Sequence, residues 1–169
     1  MASQPFNTEP TSQAVEDFWS NAVIGSSLGT LLGTISLMIV MAILDLFSSI
    51  GTVLIASIVG GLIAGATQGA FLRHYVQPKA VWLALSCAGW LTNVIVAGAI
   101  VRYWPSADLN RWIVIEGLGG AIIGTFQWLL LRRNWSRSVW WVPLNATAWA
   151  GITLVYLIIF GPLIGLASW

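Results

Sequence analysis

Between Phe18 and Leu72 the only charged residue is Asp45. So long a stretch without charge cannot be clothed in a water-facing surface, and lipid is its natural solvent. A helix needs about 20 mainly apolar residues to cross a hydrocarbon core of ~30 Å. The stretch is long enough for two crossings, with Asp45-Leu-Phe-Ser-Ser as the place where the chain leaves lipid and turns. The same criterion predicts further spans downstream, giving five in all at about 19–44, 51–73, 81–103, 112–132 and 140–159. Gln77-Pro78-Lys79 and the segment 105–110 break the later spans, and Pro143 falls in the first turn of the last, where a missing N–H costs little. The expected fold is an all-α integral membrane protein. Residues 1–17 form a polar N-terminal tail, and 18–169 form a single transmembrane domain.

Composition agrees: 57% of residues are apolar and 8% charged, against roughly 25% charged in an average soluble domain. The net charge of +1 gives no bulk field for nucleic acid. The single cysteine, Cys87, excludes an internal disulfide framework and reads as a small apolar filler. No Walker loop, zincin motif or nucleophile elbow is present. An enzyme is therefore not expected.

A repeat organises the apolar sequence. Residues 60–101 align with 119–160 without a gap, and twelve of the 42 positions are identical, where skewed composition alone gives ~4. Gly60 and Gly61 match Gly119 and Gly120, and Gly65 matches Gly124. Gln68 matches Gln127, Leu72-Arg73 matches Leu131-Arg132, and Trp82 and Trp90 match Trp141 and Trp149. One unit is a helix, a basic loop and a returning helix, at about 52–103 and again at about 111–162. An even number of crossings separates the two units, so they share one orientation, related by an axis along the membrane normal. The first span reads as a candidate half of a degenerate third unit, although no alignment carries it.

Gly61, Gly65, Gln68 and Leu72 share one helix face, as do Gly120, Gly124, Gln127 and Leu131. Small residues four apart let backbones approach closely in lipid, and a glutamine in that seam needs an internal partner. The returning helix offers Ser86 or Asn93 to Gln68, and Asn145 or Thr147 to Gln127. One reading makes glycines, glutamines and Asn145 the packing code of a hairpin. The other makes Gln68, Gln127, Trp90 and Trp149 the lining of a site for an apolar cofactor such as a pigment, quinone or lipid. His74 is a speculative axial ligand to such a group. Gly25, Gly29 and Gly33 form a further small-residue face, available for packing within the chain or against another protein.

Glu116 is the one acid expected inside a span. Intramembrane acids are candidates for coupling in transport, and an interfacial carboxylate near Arg111 or Arg102 is the plainer alternative. Arg73, Lys79, Arg132, Arg133 and Arg137 gather on one side of the spans, against Arg102 and Arg111 on the other. This bias predicts a cytoplasmic N-terminus and a C-terminus outside or in a lumen. Arg73, Arg132, Arg133 and Arg137 would meet anionic headgroups. Eleven tryptophans suit an interfacial belt, and Trp19, Trp82, Trp104, Trp112, Trp135, Trp140, Trp141 and Trp169 all fall near expected span ends.

The patterns Gly120-x3-Gly124-x2-Gln127-Trp128-x2-Leu131-Arg132 and Trp141-x3-Asn145-x3-Trp149 resemble a loosely defined group of small prokaryotic membrane proteins. These are common in cyanobacteria and are built from repeated hairpins of this kind. The resemblance covers roughly residues 55–160 and is closer in the second unit, since Gly69 stands in the first where the second has Trp128. It implies the fold, a bacterial inner or thylakoid membrane and no particular activity. The function expected from all this is a non-enzymatic accessory or scaffold subunit. It would pack laterally against a larger membrane complex, such as a photosynthetic one of the thylakoid, or self-associate. A binder of a lipophilic cofactor and a small transporter using Glu116 are the alternatives.

Overall fold

A computed structural model describes residues 12–43, 50–76, 78–104, 109–133 and 138–160. The Asp45 turn, the 105–108 connector, Trp135, Arg137, Pro162 and Trp169 lie outside the described residues, as does most of the polar tail.

Among the described residues every regular element is a helix. α1 runs Ser12–Ile43, α2 Ile50–Phe71, α3 Lys79–Tyr103 and α4 Leu109–Leu131. A 3-10 turn at Ser138–Trp140 leads into α5, Trp141–Phe160. Four segments are long and apolar enough to cross a membrane: Val15–Ile43, Gly51–Phe71, Lys79–Tyr103 and Asn110–Leu131. α3 starts where Pro78, with φ −77° and ψ 143°, holds extended backbone just ahead of it; proline fixes φ there and forfeits only an N–H the helix would leave unpaired.

α1 begins earlier than the expected tail boundary at residue 17. Its first turns are held by packing: Phe18 is fully buried, edge-to-face on Tyr75 at 5.1 Å and tilted against Trp141 at 6.4 Å. At 1.5 Å per residue its 32 residues also exceed what a ~30 Å core requires.

Each helix packs antiparallel against the next in the chain, and α1 meets α5 along a thinner seam, so the five form a ring in chain order. Glycines set the spacing. A Cβ added at Gly33 would lie 2.9 Å from the Gly60 carbonyl, and one at Gly65 2.8 Å from Ser86. One at Gly89 would lie 2.9 Å from the Ile123 backbone, and one at Gly120 would collide with the Asn145 carbonyl. Backbones this close gain dispersion contact that lipid tails cannot match. The face of Gly25, Gly29 and Gly33 is therefore spent inside the chain, on Phe71, Gln68, Ala64 and Gly60 of α2.

Candidate functional site

The centre of the ring is built in layers. Nearest the two loops that carry Arg73 and Arg132, Phe18, Leu72, Val76, Trp82, Leu131 and Trp141 form one buried apolar cluster. Farther in, Ala64, Trp90, Ile123 and Trp149 form a second. Between them sits a polar layer of Gln68, Ser86 and Gln127, each no more than 2% exposed.

Gln127 organises that layer. Its Nε2 donates to Oε1 of Gln68 at 2.6 Å and to Oγ of Ser86 at 2.9 Å. Its own Oε1 accepts from Trp141 Nε1 at 2.9 Å. An indole nitrogen can only donate, so the Trp141 bond fixes which end of the amide is oxygen. Trp82 sends its N–H instead to the Gly65 carbonyl, at 3.1 Å. Ser86 passes its proton to the Trp82 carbonyl at 2.9 Å. Unpaired polar groups inside a lipid-facing bundle cost several kcal/mol each by rough estimate, and Gln127 uses both amide hydrogens and its oxygen.

This corrects the expected pairing. Gln127 does not bond to Asn145 or Thr147 of its own returning helix; it reaches across to α2 and α3. Asn145 donates to the Trp141 carbonyl, and Thr147 turns back on Pro143 and Leu144. Asn93 lies against Gly119 of α4, not against Gln68. The reason is geometric: α3 packs between α2 and α4, so the hydroxyl of Ser86 lies within reach of the second glutamine.

Residues 59 positions apart also meet as rings. Trp82 and Trp141 are edge-to-face at 5.8 Å, and Trp90 and Trp149 at 5.0 Å. A residue touches its own offset partner only where both lie close to the ring's centre. Edge-to-face pairs of this kind contribute about 0.5–1.5 kcal/mol beyond the area they bury. Trp82 and Trp141, expected at the interface, are 1% and 0% exposed. The signal that separates them from Trp140 and Trp104, which are exposed, is recurrence at the offset together with the glutamines. Gly33 and Gly60 make room for Trp90: a Cβ on either would lie within 2.9 Å of its ring.

Other candidates stand apart. His74 is exposed and accepts a hydrogen bond at Nε2 from Arg73 Nε at 3.0 Å. Glu116 is half-buried on α4 and has no hydrogen bond or salt bridge among the described residues. Arg132 lies over the Trp128 ring at 5.3 Å, and Arg133 is exposed. Cys87 points its thiol at the Ile58 carbonyl. Among the described residues no three His, Cys, Asp or Glu side chains group as metal ligands.

A cleft opens between α1 and α5. Its volume is about 450 Å³, and Trp19, Trp140, Pro143, Leu144 and Thr147 line it. The axial group of amides, a hydroxyl and indoles has no ionisable member; what it supplies is directional hydrogen bonding and ring contact that fix helix register. Compared with protein families, curated proteins and solved structures, the chain matches none.

Proposed function

We propose that this chain is a non-enzymatic accessory or scaffold subunit that packs laterally against a larger membrane protein complex. The observation that carries the reading is how the unusual residues are used. The glycine faces, both glutamines and the central tryptophans are spent on each other, in a fixed bundle whose outer surface is apolar. A body of this kind presents shape to its neighbours. In this reading α5 is the fifth crossing, and the N-terminus and basic loops face the cytoplasm. Arg73, Arg132 and Arg133 rest on anionic headgroups there.

The test is native mass after mild-detergent extraction from source membranes. A stoichiometric larger partner is expected; a strictly monomeric species without partners counts against the reading.

The cleft favours a second reading, a binder of a lipophilic molecule. Its walls of Trp19, Trp140, Pro143 and Leu144 suit an acyl or isoprenoid chain lying along the bundle. That reading moves the ligand from the Gln68–Gln127 seam, which is filled, to the α1–α5 edge. It expects a bound lipid or visible absorbance in the purified protein, lost on Leu144→Trp. A colourless, lipid-free native preparation would end it.

A further inference from the structure

Contacts with the even-numbered helices put α1, α3 and α5 in register. Gly29 lies on Ala64 and Gly33 on Gly60, while Gly89 lies on Ile123 and Asn93 on Gly119. Ile123 and Gly119 are the offset partners of Ala64 and Gly60, so Gly29 answers to Gly89 and Gly33 to Asn93. On that register Ser26, Ser86 and Asn145 share one layer. Thr30, Trp90 and Trp149 share the next, one turn farther from the basic loops.

The first of these layers is served unequally round the ring. Ser86 accepts a hydrogen bond from Gln127, on the next hairpin. Asn145 stands at the place of Ser86, and the next helix round the ring from α5 is α1. What α1 brings there is hydroxyl. Gly25 and Gly29 face α2. Ser26 and Thr30, one position on from them and buried, turn inward and toward α5.

Four polar groups on these two helices make no hydrogen bond: Ser26 Oγ, Thr30 Oγ1, Asn145 Oδ1 and Trp149 Nε1. None of the four residues is more than 5% exposed, so neither lipid nor bulk water reaches them. Ser57, Thr67, Thr92 and Thr125 donate to the carbonyl one turn back, the usual recourse of a helical hydroxyl. Ser26 and Thr30 do not. Asn145 Oδ1 needs a donor and Trp149 Nε1 an acceptor, and the backbone groups of a helix interior are already paired with each other. Asn93 Oδ1 is unpaired as well, but it lies against Gly119 on the α3–α4 seam.

Buried polar groups beyond direct reach of one another are joined through water, and this set is matched to it. Asn145 Oδ1 accepts, Trp149 Nε1 donates, and each hydroxyl does either. Each layer pairs one hydroxyl of α1 with one group of α5.

We infer that the interior of the α1–α5 contact is a water-binding site, in which bound water joins Ser26 to Asn145 and Thr30 to Trp149. The ring then closes in two ways. Across α2, α3, α4 and α5, amides, a hydroxyl and an indole bond directly. Between the first helix and the last, water stands where the glutamine of another hairpin would. The inference concerns the inside of the bundle and is independent of the accessory-subunit reading.

The test is cross-relaxation between water and the indole N–H groups, measured by NMR on the full chain with 15N-labelled tryptophan in perdeuterated detergent micelles. Trp149→Phe assigns the Trp149 signal. A water cross-peak is expected at Trp149 Nε1. None is expected at Trp141 or Trp82, equally buried, whose N–H groups are bonded to Gln127 and to the Gly65 carbonyl. Thr30→Ala separates bound water from exchange relayed by the neighbouring hydroxyl. It removes the hydroxyl and adds room, so the cross-peak persists. Thr30→Val puts a methyl group in place of the hydroxyl and weakens the cross-peak about threefold or more, since a buried water needs about three polar partners. Absence of the cross-peak in the wild-type chain, equal cross-peaks at Trp141 and Trp82, its loss in Thr30→Ala, or its full retention in Thr30→Val overturns the inference.

Discussion

Gln127 and Gln68, on helices whose backbones never touch, share the hydrogen bond that closes the middle of the bundle at 2.6 Å. Trp141 and Ser86 complete the environment of Gln127, so the two glutamines are unequal despite their equivalent places in the sequence.

That inequality is measurable. Gln127→Leu removes three hydrogen bonds and leaves the Trp141 indole N–H without its acceptor, for an expected loss of about 1–3 kcal/mol. Gln68→Leu removes one of them and should cost less. Equilibrium unfolding in mixed micelles, followed by far-UV circular dichroism, gives the order, and the reverse order contradicts the assignment. The double variant should cost less than the sum, because both singles break the same bond.

Glycine substitutions should divide by what a methyl group meets. Gly120→Ala drives a Cβ into the Asn145 carbonyl, and Gly60→Ala places one 2.8 Å from the Trp90 ring and 3.0 Å from the Gly33 carbonyl. Each is expected to lose about 1–3 kcal/mol by overpacking. Gly98→Ala and Gly151→Ala meet nothing within 4 Å and should hold or raise the melting temperature, since alanine is the better helix former. Equal melting temperatures across all four would show that the close approaches do not constrain the fold.

Trp90→Ala empties the space between Gly33, Gly60 and Trp149, and a loss of about 3–5 kcal/mol is expected from cavity formation. Trp140→Ala, at a side chain 64% exposed, should change stability by no more than about 0.5 kcal/mol. Thermal melts in the same detergent compare the pair.

Glu116→Gln should leave stability unchanged or raise it, because the carboxylate has no ion pair or hydrogen bond to lose among the described residues. A loss above about 1 kcal/mol would mean that the carboxylate holds the bundle together.

Much of the helix plan was legible because charge is sparse within the long apolar segments and the breaks carry proline or polar clusters. The glycine and glutamine face was legible too, since Gly120, Gly124 and Gln127 recur one offset from Gly61, Gly65 and Gln68. The partners were not. Periodicity places a residue on a face but does not say which of two neighbouring helices that face meets, and α3 has a neighbour on each side. The same blindness sent Trp82 and Trp141 to the interface: nearness to a span end looks alike for a ring lying in headgroups and one turned inward. Phe18 escaped notice because it lies in a polar stretch, and only the fold brings Tyr75 and Trp141 to it.

The polar layer also makes the second hairpin the keystone of the first. A chain cut after α3 would keep Gln68 and Ser86 but lose the amide that joins them, which lies on α4. It would lose as well the indole N–H of Trp141, on α5, that holds the amide the right way round. The two sequence repeats are therefore not two interchangeable modules: the first has no satisfied centre until the second is in place.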